Sequence, residues 1–205
     1  GLVLLGISTL ANSLILSAVI VIYTGGFHID GYMDTMDALC SHRDKDEKIR
    51  IMKDSHIGAF GVIELLVLAL FMTAGIFEAQ CIGCFTSVLY GFVVSRTLSG
   101  IAVCTFKRRD NNTSLIHFET KGSRQFTLTM MFIYLFAVVA IGFLNRNSSV
   151  IPAVLVCVAW LFLSKLIYEK QFGGISGDTS GHFLCICEAL FTWAVVLFFT
   201  LRSRL

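Results

Sequence analysis

The chain has 205 residues, of which 56% are hydrophobic and 15% are charged, and its mean hydropathy is +0.78. A soluble domain of this size does not carry so much apolar sequence, so the composition excludes one. The formal net charge is only +2, and the loops lack the interleaved basic and aromatic residues typical of single-strand binding. We therefore expect no nucleic-acid partner.

Six apolar stretches are long enough to cross a bilayer, which takes about 20 helical residues. In chain order they are roughly 2–23, 57–78, 81–106, 126–144, 150–168 and 182–201. They predict an all-α, polytopic integral membrane bundle of about six transmembrane helices that forms a single domain over residues 1–205. The chain begins at Gly1 without a Met, and we expect an N-terminal segment to be missing.

Basic residues give the predicted orientation, because Lys and Arg concentrate in the segments after the first, third and fifth stretches. These residues are Arg43, Lys45, Lys48, Arg50, Lys53, Lys107, Arg108, Arg109, Lys121, Arg124 and Lys170, whereas the other side holds Arg146, Arg202 and Arg204. The pattern predicts a multi-pass protein of the cytoplasmic membrane, surrounded by the lipid bilayer, with its active cleft on the cytoplasmic side. The sequence leaves the oligomeric state open.

Three aspartates follow the first stretch at helical spacing. Asp30, Asp34 and Asp37 stand at positions i, i+4 and i+7, which places them on one stripe of a helix. Three anions so close repel one another unless a cation lies among them. Carboxylate ligands with no His or Cys in register favour a hard ion, so we expect Mg²⁺, which at a membrane surface suggests phosphate chemistry.

Two further polar segments lie on the same predicted side. The basic segment 107–125 follows the third stretch, and a glycine-dense segment, Phe172–Gly181, follows the fifth. Glycines let backbone N–H groups approach an anion closely, so the second segment is either a phosphate loop or a flexible turn between helices.

Charged residues inside the stretches must point inward or reach the interface, because facing lipid costs several kcal/mol. Glu64 and Glu188 lie near the cytoplasmic ends, and Arg96 lies deeper. Arg96 is either the ion-pair partner of one of these glutamates or a phosphate clamp.

The seven cysteines do not form a zinc or redox framework. Cys81 and Cys84 make one C-x-x-C, but no second pair stands at a matching spacing. We expect cysteines that pack in membrane helices, with a structural disulfide at Cys81 as the alternative if that side is extracytoplasmic.

Three blocks together resemble the cobalamin synthase family, the adenosylcobinamide-GDP ribazoletransferases. They are the run from Gly25 to Asp37, the run from Ile51 to Gly58, and the run from Phe172 to Asp178, in the family's order. The pair Ser95-Arg96 is similar to a further family element. The chain departs from the family at His56, at Ala38 and in segment 104–124, which has no Pro and one Gly.

The resemblance implies the last assembly step of the cobalamin nucleotide loop. In that reaction α-ribazole, or α-ribazole 5′-phosphate, attacks adenosylcobinamide-GDP and GMP leaves. We expect catalytic roles for Asp34, Asp37, Lys53 and His28, with His28 either a base or a helix-start residue bonded to the backbone. The resemblance assigns Asp30, Asp34, Asp37, Asp54 and Asp178 to Mg²⁺, and Arg96, Ser55, Gly173, Gly174, Ser176 and Gly177, together with Lys53, to phosphate.

Two other functions stay open. A membrane phosphotransferase of the CDP-alcohol type also uses an Asp-rich, Mg²⁺-dependent helix, but its Asp-Gly-x-x-Ala-Arg element is absent, because Asp30-Gly31 is followed by Tyr32 and Met33. A transporter could use Asp34, Arg96 and Glu188 as a buried relay, although such proteins usually show repeats and helix breaks at mid-membrane.

Overall fold

The computed structural model describes residues 6–109, 124–145 and 147–204. In this part of the chain every regular element is a helix, apart from one bridge between Arg108 and Ile175. The helices are α1 (Thr9–Tyr23), α2 (Phe27–Cys40), α3 (Lys45–Met52), α4 (Ala59–Cys81), α5 (Phe85–Val88), α6 (Tyr90–Thr105), α7 (Arg124–Leu144), α8 (Val150–Phe172) and α9 (Gly177–Ser203). The prediction of an all-α bundle is confirmed.

Five of the predicted membrane stretches are confirmed as helices long and apolar enough to cross a bilayer. They are α4, the α5–α6 pair, α7, α8 and α9. Many of their large apolar side chains are exposed on the outside of the bundle, as expected for a surface that faces lipid. The helices therefore support a multi-pass membrane protein.

The first stretch differs from the prediction because its helix turns. α1 has 15 residues and is about 22 Å long at 1.5 Å per residue, which is short for a hydrocarbon core of about 30 Å. The chain then bends by 92° into α2. Gly25 and Gly26 make this bend with φ of 64° and 76°, values that glycine adopts without steric cost. Among the described residues, α1 and α2 are long and apolar enough for a sixth span when the two helices are taken together.

The last helix, α9, forms the centre of the bundle. α2, α4, α6 and α8 all pack against α9. Its side chains Phe183 and Phe191 are completely buried. Its first turn is fixed by a capping box, in which Ser176 and Thr179 exchange hydrogen bonds. A helix with so many buried neighbours is a rigid support for groups at its start.

The polar segments after the first, third and fifth stretches converge at one end of the bundle, as the sequence predicted. Ile175 donates its N–H to the carbonyl of Lys107 at 2.8 Å, and Arg109 donates its N–H to the carbonyl of Ile175 at 3.1 Å. The buried Lys48 of α3 donates to Gln171 of α8 at 2.6 Å. Within segment 107–125, residues 110–123 lie outside the described residues. Arg146 also lies outside them.

Candidate active site

The aspartate stripe of α2 lies beside the start of α9. Two glycines make this close approach possible: a Cβ on Gly31 would stand 2.8 Å from the Cα of Asp178, and a Cβ on Gly181 would stand 2.8 Å from the carbonyl oxygen of His28. Because the backbones nearly touch, Asp178 joins the stripe as a fourth carboxylate. The charge of Asp178 is close enough to act on Asp34.

Asp34 is the electrostatic centre of this group. The pKa of Asp34 is raised to about 6. The largest cause is its partial burial, and the negative charges of Asp30, Asp178 and Asp37 add to it. Asp30, Asp34 and Asp37 lie on α2, which is not one of the five spans, whereas Asp178 lies in the first turn of α9. A cation placed among them would relieve the repulsion that the pKa of Asp34 reports.

Asp37 has a structural task that the sequence did not reveal. Gly58 is the N-cap residue of α4 and has no side chain with which to cap it. The carboxylate of Asp37 accepts hydrogen bonds from the N–H of Gly58 at 2.8 Å and from the N–H of Gly61 at 2.9 Å. Asp37 is 8% exposed and thus caps α4 from another helix.

Arg109 is a residue of this site that our sequence analysis counted only as a marker of orientation. One guanidinium nitrogen lies 3.9 Å from a carboxylate oxygen of Asp178, and its side chain is 6% exposed. A second guanidinium nitrogen lies 3.6 Å from the sulfur of Met52. The sequence signal is the Lys107-Arg108-Arg109 run directly after α6, but nothing in it indicates which of the three turns inward.

The segment after α3 reaches the site only in part. Lys53 is exposed and lies close enough to act electrostatically on Asp178. Asp54 instead accepts hydrogen bonds from the backbone and ring of His56, and these bonds lower its pKa. Ser55 is exposed. The structure thus brings Lys53 near Asp178, whereas the carboxylate of Asp54 is bonded to His56, and its role as a metal ligand stays a prediction.

The glycine-dense segment also differs from the prediction. Gly173 donates its N–H to Glu169 and Gly174 donates to Tyr168, both at 3.1 Å, and Ser176 donates to the hydroxyl of Thr179 at 2.7 Å. These N–H groups are therefore engaged, so they are not the ready phosphate donors that we expected.

Gly173 and Gly174 determine the backbone shape of this segment. Gly173 ends α8 with φ of 82°. A Cβ on Gly174 would stand 2.3 Å from the carbonyl of Lys107. Gly177 opens α9 with free space around it.

Arg96 and His28 lie away from the stripe. Arg96 forms an ion pair with Glu188 and donates to Ser95 at 2.9 Å, so the ion-pair alternative describes its contacts. His28 lies on the side of α2 opposite to the stripe, by the helical period, and lines a cavity together with Arg96 and Glu188. The structure therefore does not bring the predicted base or this predicted phosphate ligand to the four carboxylates.

The carboxylates supply the oxygen ligands that Mg²⁺ prefers, but they do not form a complete metal site by themselves. Within residues 6–109, 124–145 and 147–204, no three His, Cys, Asp or Glu side chains stand close enough to hold one metal ion. Mg²⁺ is usually held by one or two carboxylates, with waters and substrate phosphates as its other ligands. One or two of Asp30, Asp34 and Asp178 would be enough carboxylates for a site of that kind.

Comparisons with known proteins agree on one family. The model of the cobalamin-5-phosphate synthase family matches residues 1–196. An adenosylcobinamide-GDP ribazoletransferase of Lachnoclostridium phytofermentans is 32% identical over 95% of this chain and 74% of its own length. Proteins of the same name are similar: one from Clostridium perfringens is 33% identical over 82% of this chain, and one from Clostridium botulinum is 32% identical over 95%.

The chain spans 66% of the Clostridium perfringens relative and 77% of the Clostridium botulinum one. No solved structure matches the chain. Because the family model covers nearly all of its residues and the relatives align over most of them, the chain belongs to the cobalamin-5-phosphate synthase family of enzymes.

Proposed function

We propose that this chain is a Mg²⁺-dependent membrane transferase that joins α-ribazole, or α-ribazole 5′-phosphate, to adenosylcobinamide-GDP and releases GMP. The names of its relatives support this activity. The observation that carries it is the gathering of Asp30, Asp34 and Asp178 next to Lys53 and Arg109. Carboxylates for a metal ion beside cations for phosphate are what transfer from a nucleoside diphosphate requires.

The proposed step is one displacement at phosphorus. A ribose hydroxyl oxygen of the acceptor forms a bond to the cobinamide-side phosphorus of the diphosphate. The bond from that phosphorus to the bridging oxygen breaks, and GMP leaves with its electron pair. The hydroxyl gives its proton to solvent or to the departing phosphate.

Each charged residue has a distinct part in this step. Bound Mg²⁺ would neutralise negative charge that develops on the diphosphate oxygens. One or two of Asp30, Asp34 and Asp178 would hold the ion, with water and substrate phosphate as its other ligands. Lys53 and Arg109 would contact the phosphates of the leaving GMP, so Arg109 takes the role that the sequence suggested for Arg96.

The site would face the cytoplasm. The basic segments 43–53 and 107–109 meet at the end of the bundle that carries the carboxylates. Under the positive-inside tendency this is the cytoplasmic end of an inner-membrane protein. The diphosphate of adenosylcobinamide-GDP and the ribose of α-ribazole are polar, so an opening on that side suits their delivery.

The deciding experiment is an assay of GMP release from adenosylcobinamide-GDP by the purified protein in lipid nanodiscs. We expect release that requires both α-ribazole and Mg²⁺, stops with EDTA, and yields a cobamide in equal amount. The same assay with α-ribazole 5′-phosphate identifies the preferred acceptor. Folded protein that releases no GMP with either acceptor contradicts the proposal, and CDP-alcohol substrates are then the next to try.

A further inference from the structure

The bundle holds a cavity of about 120 Å³ on the side of α2 opposite to the aspartate stripe. It lies between α1, α4, α6 and α9. Its walls are mostly apolar and include Ile20, Leu65, Leu68, Met72 and Ile76. An apolar cavity of about 150 Å³ inside a protein takes up a benzene molecule, so this space is suited to a small aromatic ring.

Several polar side chains also line this cavity, among them His28, Arg96 and Glu188. An apolar pocket with a few polar groups is typical of a small-molecule site. Within the described residues, both hydrogen bonds of the Arg96 side chain, to Ser95 and to Glu188, come from the single nitrogen Nη1. A guanidinium carries five N–H donors, so Arg96 can also donate to a ring nitrogen in the cavity.

The cavity continues towards the outside of the bundle. A second hollow of about 250 Å³ shares Ile20, Thr24 and Arg96 with it. A ring system larger than benzene therefore has room to extend past Arg96, between α1 and α6.

The cavity is also adjacent to the proposed reaction centre. His28 and Ile29, which line it, directly precede Asp30 in the first turn of α2. A nucleoside with its base in the cavity can thus extend its sugar around this turn towards the carboxylates.

We propose that this cavity binds the aromatic base of the acceptor nucleoside. The proposal rests on the proposed function, because the acceptor is α-ribazole. The base of α-ribazole is an apolar bicyclic ring with one nitrogen that accepts a hydrogen bond. The walls bury the ring, and Arg96 donates to that nitrogen. The cavity then determines which bases the enzyme accepts.

The test compares two alanines on α4. Both alanines are exposed, but Ala69 lines the cavity and Ala74 does not. We expect Ala69→Phe to raise the KM for α-ribazole at least tenfold and to leave the KM for adenosylcobinamide-GDP within twofold. Ala74→Phe should leave both constants near the wild-type values. An unchanged KM for α-ribazole in a folded Ala69→Phe protein overturns the proposal.

A binding experiment separates this proposal from the proposed function, because it needs no turnover. Equilibrium dialysis would measure binding of the free base, without ribose, to protein in nanodiscs with EDTA, after subtraction of empty nanodiscs. We expect saturable binding by wild type and Ala74→Phe, and at least tenfold weaker binding by Ala69→Phe. Wild-type binding without any GMP release would contradict only the reaction. A co-purified lipid that only Ala69→Phe lacks, with no binding of the base, would assign the cavity to an acyl chain instead.

A second variant keeps the test decisive if Ala69→Phe does not fold. Leu68→Ala removes side-chain volume from the cavity wall. We expect this variant to use an α-nucleoside with a three-ring base at least fivefold better, relative to α-ribazole, than wild type does. No change in this ratio would contradict the proposal.

Discussion

Asp34 and Asp37 show how two residues of one stripe acquire different tasks. Asp34 lies among like charges, and its pKa of about 6 reflects that environment. Asp37 is seven residues from the start of the stripe and gives both carboxylate oxygens to N–H groups of α4. By their spacing in the sequence the two residues are equivalent. Their roles differ because α4 begins next to Asp37.

We expect Asp34→Asn to abolish transfer, with at least a hundredfold fall in GMP release. The amide removes a negative ligand but keeps the size of the side chain, so membrane expression and thermal unfolding should stay near normal. Asp54→Asn is the matched control, because Asp54 is bonded to His56 and should keep activity within about threefold. Wild-type turnover by Asp34→Asn would contradict the assignment of Asp34 to the metal ion.

Substitution of Asp37 should mainly affect stability. Asp37→Ala leaves the N–H groups of Gly58 and Gly61 without their acceptor, which we expect to cost about 1–3 kcal/mol. The measurement is thermal or chemical unfolding in nanodiscs. Asp37→Asn retains one acceptor oxygen and should lose less. If Asp37→Asn unfolds like wild type yet loses all transfer, Asp37 acts at the reaction centre and its cap is secondary.

At the scale of the element, α2 and α9 act as one unit. Gly31 and Gly181 allow their backbones to approach, and Tyr32 stacks on His182 with ring centroids 5.5 Å apart. His182 in turn is hydrogen-bonded to Tyr168 of α8 at 2.8 Å. Packing in this interface therefore sets the distance between the stripe and Asp178.

Gly31→Ala tests this dependence. The added methyl would collide with the backbone of Asp178, so the two helices must move apart, at a cost of about 1–3 kcal/mol. We expect a lower unfolding temperature and at least a tenfold loss of GMP release. Gly177→Ala is the matched control, since a Cβ there meets nothing within 4 Å. Equal behaviour of the two variants would show that the close approach does not determine activity.

The sequence predicted the helices better than the contacts between distant segments. The apolar stretches marked five helices, and the three-residue and four-residue steps of the aspartates marked the face of α2, because both signals are local. The hydrogen bonds of Gly173 and Gly174 and the inward turn of Arg109 depend on segments distant in the chain. The bend at Gly25 and Gly26 could have been suspected from the pair of glycines, but its angle depends on how α2 packs against α9.

At the scale of the whole molecule, the helix ends divide into two sets. α4 and α9 begin at the end of the bundle that holds the carboxylates, and α6 and α8 finish there. Cys81 lies at the other end, at the finish of α4, and is exposed and free. The two ends therefore offer separate sites for chemical labelling.

Labelling with a membrane-impermeant maleimide tests the proposed orientation in intact spheroplasts. We expect Cys81 to react from outside. Ser55→Cys, in a Cys81→Ser background, should react only after permeabilisation, because Ser55 is exposed at the carboxylate end. Cys81→Ser without the new cysteine controls for the remaining thiols. The reverse pattern would place the carboxylates outside the cell.

The direction in which each helix meets the site has a further electrostatic consequence. A helix behaves as a macrodipole with about half a positive charge at its start and half a negative charge at its end. At the site, acidic Asp37 and Asp178 lie at the starts of α4 and α9, while basic Lys107 follows α6 and the amine of Lys45 lies against Gly173 after α8. Each charge thus has the sign that its helix end favours. The repulsion among the carboxylates is consequently offset in part by the backbone itself, and remains so whenever no cation is bound.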